Sequence, residues 1–462
     1  MVQDQGWVED TIVAIATPIG EGGIGIVRVS GAAAISTVDQ AFLSPKGRSL
    51  ASANNWSLSY GWIVSATGEK LDEVVVSVMR APHSYTREDV VEINCHSGLV
   101  PLQNILQRML ELGARLAEPG EFTKRAFLHG RWDLSQAEAV IDIIRAKTDK
   151  GHRLAMRQLE GDVSKAVKAM RHDLVGLLAA IEAGIDFPEE VGDMEAEEVV
   201  ALCQDLEEDL KALLATADSG KIIREGIDTA IIGRPNVGKS SLLNMLVREN
   251  RAIVTAIPGT TRDVIEEYMN IGGIPVKISD TAGIRKTDNV VEKIGVEKSK
   301  EKIDNSDLII LMLDSSKKLD DEDRKIIEYV DNKKYIILLN KIDLGDKIDL
   351  DSIHELNSKF VIKTSIKLGN GLDEVKNCIK KLFFKGEVRS EDLFVTNVRH
   401  KECLIRARKN CMEALDVLKN TPAIDLASID MRNAWTNLGK ITGDTLEENI
   451  IDKIFSKFCL GK

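Results

Sequence analysis

The run from Ile227 to Asn244 (IDTAIIGRPNVGKSSLLN) constrains what this 462-residue chain can fold into more than any other stretch. A short apolar segment ends in Gly233-x-x-x-x-Gly238-Lys239-Ser240 and then turns helical, which reads as a strand, a phosphate loop and a helix. The glycines let the backbone wrap a polyphosphate, and the N–H groups of the loop and of the helix start point at it. Lys239 reaches the β- and γ-phosphates and the Ser240 hydroxyl takes Mg²⁺. Asn236, Val237, Gly238, Lys239, Ser240 and Ser241 are therefore the expected phosphate contacts.

Four further signals follow in the order a GTPase requires. Thr260 and Thr261 lie in a loop, where Thr261 can complete the Mg²⁺ shell and sense a γ-phosphate. Val276–Ser279 is a short strand ending in Asp280-Thr281-Ala282-Gly283, whose Asp holds the metal through water and whose Gly N–H meets the γ-phosphate. Tyr335–Leu339 is an apolar strand ending in Asn340-Lys341-Ile342-Asp343. Asp343 accepts from the guanine N1–H and N2–H₂, a donor pair that adenine lacks. Ser365, in Thr364-Ser365-Ile366-Lys367, sits where a weaker base contact belongs. Each motif alone is commonly a turn or a loop cap. The joint order and strand placement specify a GTPase, and Ile284 stands where Ras-like enzymes carry their water-positioning glutamine.

A chain of this length exceeds one ordinary core, so two or three domains are expected. No apolar run reaches membrane-spanning length and Met1–Asp10 has no leader pattern, so a cytoplasmic protein is expected. The six cysteines are scattered without zinc-type spacing and read as reduced thiols. A net charge of −12 argues against a protein that coats nucleic acid through its overall field.

At the N-terminus, Thr11–Thr17 and Ile24–Ser30 read as strands joined by a Gly-rich loop that turns back into a strand. Gly20-x-Gly22-Gly23-x-Gly25 is for that reason a poor dinucleotide fingerprint. Trp56–Ser65 and Leu71–Arg80 read as a hairpin, Val90–His96 as a further strand and Gly98–Leu112 as a helix, together an α+β domain. From Ser135 the chain is helical to about Ala183, with Ser135-x-x-Glu138 in capping-box form, and again over Met194–Ala217. The cations Arg145, Lys147, Lys150, Arg153, Arg157, Lys165, Lys168 and Arg171 form either a solvated surface, the favoured reading, or an RNA-contacting stripe. Arg399–Lys419, Asp425–Leu438 and Asp444–Phe458 are again helical, with Gly443 and Asp444 as break and cap. One helical domain interrupted by an inserted α/β module follows. Lysine is denser from about Lys221 onward, a shift that composition alone does not assign.

Three stretches resemble a known family. Arg115–Ala139 (RLAEPGEFTKRAFLHGRWDLSQAEA) is similar to a signature of the MnmE (TrmE) family of tRNA-modification GTPases, as are Ala14–Gly31 and Ser84–Gly98. Arg87, Asn94 and Ser97 stand where that family usually has Gly, His and Gly, and Arg131 where it usually has Lys.

The resemblance implies a multidomain protein: an α+β folate-binding-like domain at 1–122 that dimerises, an all-α helical domain in two parts at 123–220 and 386–462, and an inserted α/β P-loop G domain at 221–385. It implies a nucleotide site that includes Thr255, Ala256, Ile257, Pro258, Gly259 and Thr260, with Glu292 orienting water. A K⁺ ion held by Asn236, Thr255, Ile257 and Thr260 takes the place of an arginine finger as two G domains meet. It implies 5,10-methylene- or 5-formyl-tetrahydrofolate on Arg28, Glu92, Arg131 and Lys462, with Lys462 reaching the folate domain of a partner subunit. The implied work is done with MnmG, whose own FAD is used, on C5 of the wobble uridine of certain tRNAs. Cys459, in Phe458-Cys459-Leu460-Gly461-Lys462, is a nucleophile or a small side chain that docks the tail, and both readings stay open. A ribosome-assembly GTPase of the Era or Der kind is the rival. The chain has neither a second phosphate loop nor a KH-like Gly-x-x-Gly setting. A folate transferase with a vestigial G domain is the other rival, against which Lys239, Ser240, Thr261 and Asp280 argue.

Overall fold

The computed structural model of the chain describes residues 10–187, 196–250, 268–278, 303–330, 333–348, 360–384, 393–421 and 424–462. Three bodies are built from them.

The first is a seven-stranded sheet in the order β3-β4-β5-β6-β2-β1-β7. Its strands are β1 (Ile12–Ile15), β2 (Gly25–Ser30), β3 (Phe42–Leu43), β4 (Ser57–Val64), β5 (Lys70–Met79), β6 (Val90–Cys95) and β7 (Arg115–Leu116). Helix α1 (Ala34–Asp39) lies between β2 and β3, and α2 (Leu99–Glu111) between β6 and β7. Strand alternation sends Val27, Val29, Val76, Val91 and Ile93 inward against Leu102, Ile105 and Met109 of α2. The same alternation leaves Arg28 and Glu92 on the outer face, where they are directly paired across β2 and β6. β1 pairs antiparallel with β2, so the Gly20–Gly25 loop joins two strands of a hairpin, as expected, and does not open a helix.

The helical stretch expected from Ser135 to about Ala183 comprises three helices, α4 (Leu134–Arg145), α5 (Asp149–Leu159) and α6 (Asp162–Asp186), preceded by α3 (Glu121–Leu128). Thr148 stops the run by accepting from Gly151 N–H at 3.1 Å and capping α5, and Gly161 opens α6 at φ +90°. The capping box at the start of α4 belongs to Asp133 and Gln136, not to Ser135 and Glu138. Asp133 is extended and outside the helix, whereas Ser135 is already one residue inside it. Helix α7 (Ala196–Glu225) runs past the expected end at Ala217. Gly220 sits in its interior because a Cβ there would strike Val395 O.

The α/β module comprises β8 (Ile227–Ile232), α8 (Lys239–Asn250), β9 (Tyr268–Ile271), β10 (Ile274–Ile278), β11 (Leu308–Asp314), α9 (Asp321–Val330), β12 (Tyr335–Asn340), β13 (Val361–Lys363) and α10 (Leu372–Phe383). The sheet order is β13-β12-β11-β8-β10-β9, parallel except for the β9–β10 hairpin. β11 and β12 are buried almost throughout because both faces are covered. Ile310, Met312 and Leu338 meet Leu242 and Val375, while Ile309, Leu311 and Leu339 meet Ile327 and Val330.

The chain then returns as α11 (Val398–Asn420), α12 (Ile424–Thr442) and α13 (Glu448–Phe455). α11 packs on α7 and α12, and α12 on α6, around Leu174, Leu210, Leu404, Met431 and Leu438. The helical body is therefore closed by segments from both sides of the module. Asp444 does not cap the last helix. It accepts from Arg171 and from Thr442 Oγ1, and α13 begins only at Glu448.

The basic stripe is largely committed to structure. Arg157 pairs with Asp162, Lys168 with Asp133 and Arg171 with Asp444. Lys147 and Lys150 lie over the rings of Tyr268 and Phe384, and Arg145 donates to Lys457 O at 2.9 Å. Among the described residues no helix is long and apolar enough to cross a membrane, and no group of three metal-ligating side chains occurs.

Candidate nucleotide site and N-terminal cleft

The phosphate loop leaves the end of β8 and enters α8 at Lys239. Gly233 (φ +147°) passes so close to β11 that a Cβ would run into Met312 O, and Gly238 (φ +109°) passes equally close to Asn340 Nδ2. Those two contacts explain both fixed glycines. Asn236 turns the loop at φ +63° and is exposed, as are Ser240 and Ser241 at the helix start. Lys239 Nζ donates to Gly233 O at 2.6 Å and Arg234 O at 2.7 Å, folded back along the loop, and its burial lowers its pKa. The N–H groups at the start of α8 and this ammonium make a concave, anion-seeking surface.

The second half of the site hangs from β12 and β13. Asn340 is buried and acts as a brace, its Nδ2 donating to Val237 O at 2.7 Å and its Oδ1 accepting from Ile366 N at 3.1 Å. The phosphate loop and the base loop are thus fixed relative to each other by one side chain. Ile366 keeps that backbone bond while its side chain joins the core, which is how the bulkier residue fits. Lys341 (φ +65°) pairs with Asp314 Oδ2 at 2.7 Å. Asp343 is exposed, and its Oδ1 accepts from the buried Ser365 hydroxyl at 2.6 Å. The sequence reading missed Asp314. Its position at the end of the apolar run Leu308–Leu313, parallel to the strand that ends at Asn340, was the available signal. Thr255, Ala256, Ile257, Pro258, Gly259, Thr260, Thr261, Asp280, Thr281, Ala282, Gly283 and Glu292 lie outside the described residues.

A separate cleft of about 690 Å³ opens on the outer face of the first sheet. Arg28 donates from Nε and Nη2 to Glu92 Oε1, both at 2.8 Å, and its guanidinium lies over Tyr85 and Phe122. Arg131 lies over Tyr85 and Trp132 and donates to Ser84 O and Tyr85 O. Asn94 donates to Val75 O, and Ser97 to Gly20 O, so these two departures from the family pattern fasten strands and loop.

The tail reaches this cleft within the same chain, which corrects the expectation of a partner's domain. Arg28 Nη1 donates to Gly461 O at 3.1 Å and Gly120 N to Cys459 O at 3.4 Å, with the Phe458 ring tilted against Phe455. The intrachain route follows from α13 docking on α3 and α4. Arg28, Glu92 and Arg131 line the cleft, and Lys462 follows the Gly461 carbonyl that Arg28 holds; burial, with Arg28 nearby, lowers its pKa. Gly461 (φ +85°) lies where a Cβ would strike Ile15 O. Gly461→Ala is expected to release the tail, and carboxypeptidase trimming followed by mass spectrometry should then remove residues 459–462 markedly faster. Unchanged trimming would show that the tail is held without this contact.

A parallel sheet in this order, with a phosphate loop after its first strand and Asn-Lys-x-Asp at the end of β12, is the nucleotide module of a P-loop GTPase, here inserted into a helical domain behind an α+β domain. Family models described as "GTP-binding protein TrmE N-terminus" and "MnmE helical domain" match residues 11–131 and 134–459. Proteins named tRNA modification GTPase MnmE from Alkaliphilus oremlandii and Alkaliphilus metalliredigens are each 51% identical over 99% of this chain and 100% of their own length. The one from Bacillus licheniformis is 50% identical over 98% of this chain and 100% of its own. The chain belongs to the MnmE family.

Proposed function

We propose that this protein hydrolyses GTP as part of a tRNA-modification enzyme that, with MnmG, places an aminomethyl or carboxymethylaminomethyl group on C5 of the wobble uridine. The observation that carries the reading is the bracing of phosphate loop and base loop through Asn340, in a chain whose full-length relatives are named for this work. Lys239 and the N–H groups of α8 hold the phosphates, Ser240 and Thr261 the Mg²⁺, and Asp343 with Ser365 the guanine. Asp280 holds the metal through water, the Gly283 N–H meets the γ-phosphate, and Glu292 orients the attacking water. Asn236, exposed at a positive φ beside the phosphates, offers a side-chain oxygen to K⁺ together with Thr255, Ile257 and Thr260. Hydrolysis is expected to be markedly faster in KCl than in NaCl at equal ionic strength, and equal rates would remove the K⁺ part of the reading.

In the N-terminal cleft, Glu92 accepts from the N–H donors of a pterin while Arg28, Arg131 and Lys462 meet its carbonyl and carboxylates. The lining suits such a ligand: Glu92 is paired with Arg28, Arg131 lies across the Tyr85 ring that Arg28 also covers, and Trp56 adds a second aromatic side chain. A tetrahydrofolate bound there supplies the one-carbon unit, and MnmG supplies the flavin. Leu58, Tyr60 and Val75 are exposed on the same outer face as the cleft and suit a homodimer contact between two N-terminal domains. Nucleoside mass spectrometry of tRNA from cells lacking this chain, with and without its return, tests the whole. Loss and recovery of the C5-modified uridine is the expected result. An unchanged uridine alongside intact GTP hydrolysis would move the ribosome-assembly reading forward.

A further inference from the structure

We propose that the N-terminal cleft is built for a folate carrying a poly-γ-glutamate tail, with Arg87 as the residue that selects it. The inference rests on the folate reading above and names which form of that ligand the site prefers.

Charge in the cleft is divided unevenly. Arg28 is matched by Glu92, and Lys462 lies close enough to feel both charges. Arg87 and Arg131 also line the cleft, and neither has a carboxylate partner among the described residues. Arg131 is half-buried, pressed on Tyr85 and Trp132, with one nitrogen spent on two backbone carbonyls. Burial lowers its pKa and the neighbouring Arg87 lowers it further. Two cations placed side by side, one of them half-buried, with no counter-ion among the described residues, favour a ligand that brings more than one negative charge.

Arg87 is placed there against local preference. Its φ is +63°, a region that costs a non-glycine residue about 1 kcal/mol or more. The guanidinium is steadied by one bond, Nη1 to His129 O at 2.9 Å, and lies along Gly130, which has no side chain to obstruct it. Arg87 is exposed and belongs to the cleft lining. A folate monoglutamate ends in two carboxylates, the nearer of which suits Arg131 on the wall. Each further γ-linked glutamate adds one carboxylate to a chain that must leave past the rim, and Arg87 is the cation standing on that path.

The test is calorimetric titration of the full-length protein with 5-formyl-tetrahydrofolate as the monoglutamate and as the triglutamate. The triglutamate is expected to bind about fivefold more tightly, the worth of one charge-assisted contact at a half-exposed site, with the difference shrinking in high salt. Arg87→Gly takes the same φ without strain, so loss of the preference in that variant does not reflect misfolding. It should bring the affinity ratio to about one, and Arg87→Glu should invert it by like-charge repulsion. Equal affinities for the two forms in the unaltered protein, or a preference that survives in both variants, would overturn the proposal while leaving folate binding intact. Failure of both forms to bind would overturn the folate reading and this inference with it.

Discussion

Changing Asp343 to asparagine is expected to exchange guanine for xanthine at the nucleotide site. The carboxylate is held in place by the buried Ser365, whose hydroxyl donates to Oδ1 at 2.6 Å and whose backbone N–H is tied to Asn370 O at 3.2 Å. Asp343 is otherwise exposed, so its acceptor capacity faces outward beside the phosphate loop. Guanine presents N1–H and an amino group to it, two charge-assisted bonds worth about 1.5–3 kcal/mol each. Asparagine keeps one acceptor and sets an NH₂ against the guanine amino group, donor against donor. GTP affinity should therefore fall by about 10²- to 10⁴-fold. Xanthine carries a carbonyl in place of that amino group and restores two matched bonds, so XTP should outcompete GTP in the variant. Displacement of a fluorescent guanine nucleotide by GTP and by XTP reads the exchange directly. Unaltered GTP binding would mean that Asp343 only receives the Ser365 hydroxyl and shapes its loop.

The nucleotide module was legible because its chemistry is written in contiguous residues. Gly233, Gly238 and Lys239 sit at fixed spacing for steric reasons that the contacts with Met312 and Asn340 make explicit. The strands of the first sheet were legible through alternation, with Val90–Cys95 and Lys70–Met79 falling within a residue or so of expectation. What could not be read was anything decided by residues far apart. Asn340 looked like one more base contact, and its role as a brace depends on Val237 and Ile366, more than one hundred and about twenty-six residues away. The end of α7 was misplaced because nothing in Gly220 itself announces that Val395 O will lie against it. The tail was sent to a partner because sequence does not say that α13 folds back on α3 of its own chain. Glu138 was read as half of a capping box, since Ser-x-x-Glu is a local pattern, and its actual partners lie more than 250 residues on.

Those partners give Glu138 the largest expected effect on folding. It is buried in α4, and Arg399 of α11 grips both of its oxygens, Nε to Oε1 at 3.0 Å and Nη2 to Oε2 at 2.6 Å, while His400 Nε2 lies 2.8 Å from Oε2. Arg399 also donates to Lys440 O and Ile441 O, so one cluster joins α4, α11 and the end of α12. Burial alone would raise the Glu138 carboxyl, but His400 and Arg399 outweigh it and hold it at about 2 against an ordinary 4.5. Burial lowers the His400 pKa below its ordinary 6.5, with Glu138 opposing and Arg399 assisting. In both cases the unfolded chain takes up its proton first. The stability from His400 is therefore lost as pH falls below about 6.5, and that from Glu138 as it falls from 4.5 toward 2. Glu138→Ala leaves Arg399 without its carboxylate in a largely buried place and should cost about 3–5 kcal/mol. Glu138→Gln fills the same volume, so a comparable loss in that variant assigns the cost to charge. Urea unfolding followed by a single remaining tryptophan, Trp435 packed against the helical core, isolates this body from the rest of a multidomain chain. If Glu138→Gln were as stable as the unaltered protein at pH 7, volume and not the ion pair would be what holds α4 to α11.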